Sequence, residues 1–340
     1  MWKRSSLRLL AAVITVGLAA TGCSRPTNSA DGGTKARNLV FAYITPETFP
    51  YHDGAKKFKE LIEQNSGGKF TVQLHPAGQL GNERDINESI LDGAVHIGVG
   101  AGALAGLAPS VNLLELPFLI KNQDHMQRVI DSPAAAELAK RIKEEGKFEV
   151  IDWFSTGDSS IQSVDRPIRT PADLKGLKLR SIENPALADA LQTLGANPTP
   201  MPFGEVYTGV QTGVVKGATL DWGSVYSLKL HELIKYATTP DVAFLAEPRP
   251  VIMSSAFWDS LSDEERKLID ESMAEAAKYE REVFRTKQQE AIDNVVKAGV
   301  TLTDIDEKAF DDAVRPAWDK WAKQLKAEQL LEQILAVREG

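Results

Sequence analysis

The chain has 340 residues, of which 25% are charged, and a formal net charge of -8 at pH 7. An acidic chain without a basic stripe argues against binding to nucleic acid or to anionic lipid surfaces. Its one cysteine excludes an internal disulfide framework, and its length is enough for two modest α/β domains.

The N-terminus has the pattern of a secretory signal peptide over residues 1–22. Three basic residues precede an apolar run from Leu9 to Ala20, and this run is shorter than the roughly 20 residues that a membrane-spanning helix needs. The segment Ala20–Cys23 (ATGC) resembles a bacterial lipobox. We therefore predict lipidation of Cys23, with ordinary cleavage nearby as the alternative.

Residues 23–37 are predicted to be a lipidated tether. They are small and polar, so they cannot bury a core, and such segments behave as flexible linkers. The predicted location is extracytoplasmic, in the periplasm or on the outer face of the cell membrane, and the predicted contact with the membrane is through the lipid anchor only.

The first predicted elements alternate between strands and helices. Apolar and alternating patterns predict strands at residues 38–45, 69–74, 95–99 and 148–154, and helices at 52–64, 85–91 and 123–145. This alternation favours a parallel sheet covered on both faces.

Small and polar residues at 155–158 indicate a hinge toward a second domain. Beyond it, the pattern predicts strands at 177–180 and 218–221 and helices at 185–194, from 203, and at 227–237. A strand at 249–254 is predicted to return to the first domain.

The clearest single element is a helix over residues 263–298. Ser262 and Glu265 match a capping box, and Gly299 stands where a helix C-terminal glycine belongs. Such a helix is about 54 Å long at 1.5 Å per residue. Because this exceeds the size of one small domain, the helix either kinks or runs across both domains.

The sequence contains none of the catalytic or cofactor motifs that we searched for. No histidine stands at metal-ligand spacing, and there is no nucleophile elbow, phosphate-binding loop or dinucleotide fingerprint. We therefore predict no cofactor, no metal and no enzymatic activity. The turn at residues 98–102 follows a strand, and such turns line ligand crevices in open sheets, which makes Ala101 a candidate site residue.

Five short segments identify a resemblance that covers nearly the whole chain after residue 38. In order and spacing they resemble the extracytoplasmic solute-binding proteins of tripartite ATP-independent periplasmic (TRAP) transporters, the dicarboxylate- and sialic-acid-binding family. The segments are GQLG (78–81), LDGA (91–94), LPF (116–118), DLKGLKLR (173–180) and TPMPFGEVYTGVQTGVVKG (199–217).

The resemblance implies an α/β, two-lobed periplasmic-binding-protein fold with hinge strands and a long C-terminal helix that spans both lobes. We assign residues 38–157 and 246–285 to lobe I, and residues 158–245 and 286–340 to lobe II. It also implies the partners, a small-molecule solute and the small and large integral membrane subunits of a TRAP transporter driven by an ion gradient.

The resemblance also implies two ligand contacts. Arg180 aligns with the arginine that holds the ligand carboxylate, and a guanidinium offers a planar fork of donors that matches a carboxylate. The alternative is a surface ion pair with Glu183. Phe203 aligns with an aromatic residue that packs against the ligand, and the alternative is a core phenylalanine.

Two departures from the family pattern bear on the solute. Where a second arginine is expected, the chain has Asp158, Ser159 and Ser160. The family's asparagine is replaced by Leu220, which is followed by Asp221 and Trp222. We expect a pocket that lacks one positive charge and one amide and that gains a carboxylate and an indole.

These departures predict a monocarboxylate that carries an amine or several hydroxyls, rather than a dicarboxylate or sialic acid. Asp221 beside Trp222 suits an ammonium group, or else Asp221 caps a helix that begins at Trp222. The alternatives for the whole chain are a binding lipoprotein of an ATP-driven importer, a binding protein of a sensor system and a secreted enzyme.

Overall fold

Two β-sheets surrounded by helices make up residues 36–338, the part of the chain that this computed structural model describes. The predicted signal peptide and Cys23 lie outside these residues. The strands of the first sheet are β1 (Arg37–Ala42), β2 (Phe70–His75), β3 (Ile97–Val99), β4 (Phe148–Ser155) and β10 (Pro248–Ser254). Those of the second sheet are β5 (Ser159–Ser163), β6 (Lys178–Ser181), β7 (Asn197–Pro200), β8 (Gly217–Asp221), β9 (Tyr236–Thr238) and β11 (Thr301–Thr303).

The first sheet has the order β2-β1-β3-β10-β4 and is mixed. Strand β1 pairs in parallel with β2 and β3, whereas β10 runs antiparallel to both β3 and β4. The predicted parallel arrangement holds for β2, β1 and β3, but it is wrong for β10, which is antiparallel to both of its neighbours. The strand predicted at 249–254 is confirmed as β10, and it joins the first sheet as expected.

The second sheet has the order β11-β9-β5-β8-β6-β7 and begins one strand earlier than predicted. Strand β5 is fully buried although four of its five residues are polar. Gln162 is hydrogen-bonded within the sheet, since its side-chain amide donates to the carbonyl of Leu220 at 2.8 Å and accepts from the N–H of Leu220 at 3.1 Å. A buried strand of this composition is tolerated because its hydrogen bonds are made.

Eleven α-helices cover the sheets within the described residues. They are α1 (Pro50–Asn65), α2 (Glu83–Leu91), α3 (Gln123–Ile130), α4 (Pro133–Gly146), α5 (Pro185–Thr193), α6 (Val206–Gln211), α7 (Trp222–Ser227), α8 (Ser255–Asp259), α9 (Asp263–Lys297), α10 (Glu307–Gln324) and α11 (Glu328–Ala336).

Two helix predictions need correction. The helix predicted at 123–145 is two helices, because Ser132 caps α4 and Pro133 stands at its first position. The helix predicted at 227–237 is instead the end of α7, a short 3-10 turn at Leu230–Glu232 and strand β9. In both segments the helical spacing of apolar residues is too short to exclude a break within the predicted helix.

Helix α9 contacts both halves of the molecule, in agreement with the prediction that it runs across both domains. It begins at the Ser262 capping box and is followed by Gly299, whose φ is +101°. Its 35 residues correspond to about 52 Å, and it packs against α1 and β4 of the first sheet and against α7 of the second. The fold is thus the two-lobed α/β architecture with a shared long helix.

The C-terminal helices also contact both halves. Helix α10 packs against α5, and α11 packs against α4. The indole N–H of Trp318 in α10 donates to the carbonyl of Pro117 at 2.9 Å. None of the helices within residues 36–338 has the length and apolar character to cross a membrane.

Candidate functional site

A cavity of about 460 Å³ lies where the two sheets face each other. Its walls include residues that lie one or two positions after strands of both sheets: Tyr43 after β1, Ala101 after β3 and Ile182 after β6. The C-terminal ends of parallel strands form crevices in open α/β sheets, because the connections diverge there. The position therefore matches what the topology favours for a ligand site.

Arg180 lies at the end of β6 and reaches this cavity. It is only 3% exposed, and its Nε donates to the carbonyl of Met201 at 3.1 Å, which fixes the plane of the guanidinium. Among the described residues this is the only hydrogen bond of its side chain, so the terminal N–H groups are left for a ligand. Burial lowers the pKa of Arg180 to about 10, against the opposing effects of Glu115 and Glu83, and the group stays charged at neutral pH.

A second arginine in the cavity, Arg249 on β10, is already paired with two glutamates. Its Nη1 lies 2.5 Å from Oε1 of Glu115, and its Nη2 contacts Oε1 of Glu247. We call Arg249, Glu115 and Glu247 the Arg249 cluster, and all three side chains are buried. Burial alone would lower the pKa of Arg249, but the two glutamates raise it above its ordinary value.

The cavity is lined by more acidic than basic side chains. Two arginines face six carboxyl groups, and the described lining residues include no lysine or histidine; the acidic residues are Glu83, Glu115, Glu183, Glu205, Asp221 and Glu247. Burial raises the pKa of Glu83 to about 7 and that of Asp221 to about 6. Carboxyl groups in this number favour a solute that donates hydrogen bonds.

Glu83 and Ala101 are hydrogen-bonded to each other on the side of the cavity that the first lobe forms. The backbone N–H of Ala101 donates to Oε1 of Glu83 at 2.7 Å. Ala101 was predicted as a site residue, and it lines the cavity through the turn after β3. The carboxylate of Glu83 at the start of α2 was not predicted.

Four further predicted residues also line the cavity: Phe203, Leu220, Asp221 and Ser159. Asp221 has a second role, since its Oδ1 accepts from the N–H of Ser224 at 2.8 Å and caps α7. The capping alternative of the sequence analysis is therefore confirmed, although the residue also faces the cavity.

Three predicted residues lie away from the cavity, and their assignment is corrected. Trp222 is fully buried in the apolar core of the second lobe, because α7 turns its indole inward. Asp158 accepts from the amides of Gln123 at 3.2 Å and Gln288 at 3.0 Å, so it links the crossover to α3 and α9. The hydroxyl of Ser160 accepts from the Gln162 amide within the sheet.

The Arg249 cluster is the main feature that the sequence analysis missed. A charged residue inside an apolar segment was the available signal: Glu115 stands in LLELPFLI, and Arg249 stands at the start of a buried strand. The arginine expected near Ser159 is still absent from that position, but another strand supplies the cavity with a second arginine. Its two glutamate partners nevertheless leave the cavity acidic.

No group of three or more histidine, cysteine, aspartate or glutamate side chains in residues 36–338 has a geometry that could hold a metal ion. The site offers a free guanidinium, several carboxyl groups and apolar walls, and contains no nucleophile paired with a base among the contacts described above. This arrangement suits reversible binding of a small polar anion.

Comparison with known proteins gives a consistent set of relatives. The model of bacterial extracellular solute-binding protein family 7 (DctP) matches residues 41–324. The 2,3-diketo-L-gulonate-binding periplasmic protein YiaO of Escherichia coli is 34% identical over 281 residues, which are 82% of this chain and 85% of that protein.

Solved structures of TRAP periplasmic solute-binding proteins share the fold. The one from Roseobacter denitrificans, with bound β-D-glucuronate, has a TM-score of 0.83 and 30% identity and covers 88% of this chain and 99% of its own. The one from Shewanella oneidensis, with bound succinate, has a TM-score of 0.83 and 25% identity and covers 89% of this chain and 100% of its own.

Proposed function

Because the chain belongs to bacterial extracellular solute-binding protein family 7, we propose that its solute is a small organic acid with one carboxylate and several hydroxyl groups. The chain is a solute-binding protein of a TRAP transporter and not an enzyme. The solute class is supported by the contents of the cavity and by the glucuronate and diketogulonate named for its relatives.

The observation that carries the proposal is the one free guanidinium in an acidic cavity. Arg180 presents its terminal N–H groups to a space that also holds six carboxyl groups. A carboxylate pairs with the guanidinium through charge-assisted hydrogen bonds. Hydroxyl groups elsewhere on the solute then donate hydrogen bonds to the carboxyl groups that line the cavity.

A solute with an amine in place of hydroxyls is the second candidate, and the surplus of carboxyl groups favours it. The ammonium site expected at Asp221 and Trp222 has less support, because Asp221 caps α7 and Trp222 lies in the core. We therefore place the hydroxylated acid first.

We propose that binding proceeds by closure of the two lobes around the solute, through the crossover at residues 156–158 and along α9. Closure removes water from the cavity, which strengthens the pairing of Arg180 with the carboxylate. The closed protein then delivers its solute to the small and large membrane subunits of the transporter, with uptake driven by an ion gradient. Family membership favours this route over an ATP-driven importer or a sensor system.

The family is periplasmic, and the proposed attachment to the membrane through Cys23 depends on the lipobox resemblance alone. A lipid anchor with the tether of residues 23–37 would keep the binding domain near its transporter.

The test is a thermal-shift screen of purified protein over uronates, aldonates, dicarboxylates, amino acids, amines and polyols, followed by calorimetry on the hits. A ligand that binds only the folded state raises the unfolding temperature by mass action. We expect hydroxylated monocarboxylates to bind, and Arg180→Ala, which removes about 3 kcal/mol of pairing, to weaken them roughly 100-fold. Tight binding of plain dicarboxylates alone, or binding that is indifferent to Arg180, would refute the proposal.

A further inference from the structure

In the Arg249 cluster both terminal nitrogens of the guanidinium already pair with a carboxylate, whereas those of Arg180 pair with none among the described residues. The Nε–H of Arg249 is buried and has no partner among these residues. Glu115 and Glu247 hold the two terminal nitrogens, and the three residues are 0% to 6% exposed. To pair with both terminal nitrogens, as it can at Arg180, an incoming carboxylate would have to displace at least one glutamate, which would then be a buried charge without a partner.

The net charge of the cluster is never positive in its paired form. With both glutamates ionised it carries one negative charge, and if Glu247, whose pKa burial raises, is protonated, the cluster is neutral. In either state a second carboxylate on the solute meets no compensating charge. It also meets the carboxyls of Glu83 and Asp221, which line the same cavity.

The cluster also has unused acceptors. Oε2 of Glu115 and Oε2 of Glu247 are buried, and no donor among the described residues reaches them. Buried polar atoms in folded proteins nearly always have a partner. A solute hydroxyl supplies a donor of this kind, whereas a second carboxylate and a hydrocarbon do not.

We infer that the Arg249 cluster is a specificity subsite that accepts hydroxyl groups of the solute and excludes a second carboxylate. The inference depends on the proposed function, since it takes Arg180 as the site of the first carboxylate. It makes the two arginines of the cavity functionally unequal: Arg180 binds the solute's anion, and Arg249 holds two glutamates as hydrogen-bond acceptors.

Three probes separate the effects: D-glucuronate, D-glucarate with a second carboxylate, and cyclohexanecarboxylate without hydroxyls. D-Gluconate, an open-chain acid with one carboxylate, is the control for the open chain of D-glucarate. Calorimetry on the wild-type chain should show D-glucarate and cyclohexanecarboxylate each bound about 100-fold more weakly than D-glucuronate, because one adds an uncompensated charge and the other leaves buried acceptors unpaired. Equal affinity for D-glucuronate and either of the other two overturns the inference without any variant.

The double variant Glu115→Gln/Glu247→Gln keeps the shape of the cluster and leaves Arg249 with its positive charge. Its preference for D-glucuronate over D-glucarate should fall by about tenfold or more. The control is Glu144→Gln, which removes one charge from an exposed position of α4 outside the cavity, and it should keep the wild-type ratio. An unchanged ratio in a folded double variant, or an equal change in the control, overturns the inference.

The outcomes separate the two proposals. If D-glucuronate binds and Arg180→Ala weakens it, but D-glucarate binds equally well, the subsite is wrong and the proposed function stands. If none of the three probes binds, the proposal of a hydroxylated monocarboxylate as the solute is refuted, and the inferred subsite is refuted as well. If circular dichroism shows that the double variant does not fold, the affinities of the wild-type chain for the three probes are the test of the subsite.

Discussion

The buried carboxyl of Glu83 predicts how stability depends on pH. The side chain is 7% exposed, and burial raises its pKa from 4.5 to about 7, more than the Arg249 charge and the Ala101 N–H lower it. The unfolded chain releases this proton near pH 4.5, whereas the folded chain keeps it up to about pH 7. The stabilising contribution of the protonated group is therefore complete at low pH and is lost as pH rises through this window.

The substitution Glu83→Gln removes this titration and keeps an oxygen that can accept from Ala101. A difference of about 2.5 pKa units corresponds to about 3 kcal/mol. We therefore expect the free energy of unfolding of the variant, relative to wild type, to rise by about 3 kcal/mol between pH 4 and pH 8. Any change in the hydrogen bond to Ala101 that does not depend on pH cancels in this comparison.

Urea denaturation without solute, at pH 4, 6 and 8, measures this difference. Circular dichroism and tryptophan fluorescence should give coincident transitions. Glu205→Gln is the control, because its side chain is exposed and surface substitutions change stability by about 0.5 kcal/mol or less. If wild type and Glu83→Gln have parallel pH profiles, the buried, protonated state of Glu83 is refuted.

Two further predictions concern closure and attachment. A Cβ at Gly102 would lie 2.8 Å from the side chain of Ile182, a residue that follows β6 of the second sheet, whereas one at Gly106 in the same 3-10 segment would meet nothing within 4 Å. Overpacking of about 1–3 kcal/mol at Gly102→Ala should therefore weaken solute binding about 5- to 150-fold. Calorimetry measures this loss, and Gly106→Ala should bind the solute as the wild type does. Cys23→Ser should move the protein from the membrane fraction to the soluble periplasmic fraction, and a wild-type N-terminus without lipid mass would contradict the anchor.

The elements with strong local signals were predictable from the sequence. Helix α9 was predicted over 263–298 and spans Asp263–Lys297, because its capping box and terminal glycine mark both ends. Strand β5 was missed because its sequence, SSIQS, has the composition of a loop. Its burial depends on hydrogen bonds from Gln162 to a strand 58 residues later, and no local pattern reports such a partner.

The candidate site was predictable only where a motif carried it. Arg180 and Phe203 were placed by the DLKGLKLR and PMPFGEVY segments, and both line the cavity. Arg249 and Glu115 are 134 residues apart, so their pairing appears only after β10 has joined the first sheet. Trp222 directly follows the cavity residue Asp221 but points into the core. Successive residues at the start of a helix point in different directions, so their side chains do not share a face.

Both cations of the cavity, within the described residues, are guanidinium groups. This has a chemical consequence for solutes with a free carbonyl, such as the open-chain forms of uronates. Lysine amines form Schiff bases with carbonyl compounds, whereas arginine remains protonated and serves as a hydrogen-bond fork. A reducing sugar acid enclosed in this cavity would therefore meet no primary amine with which its carbonyl could form a Schiff base.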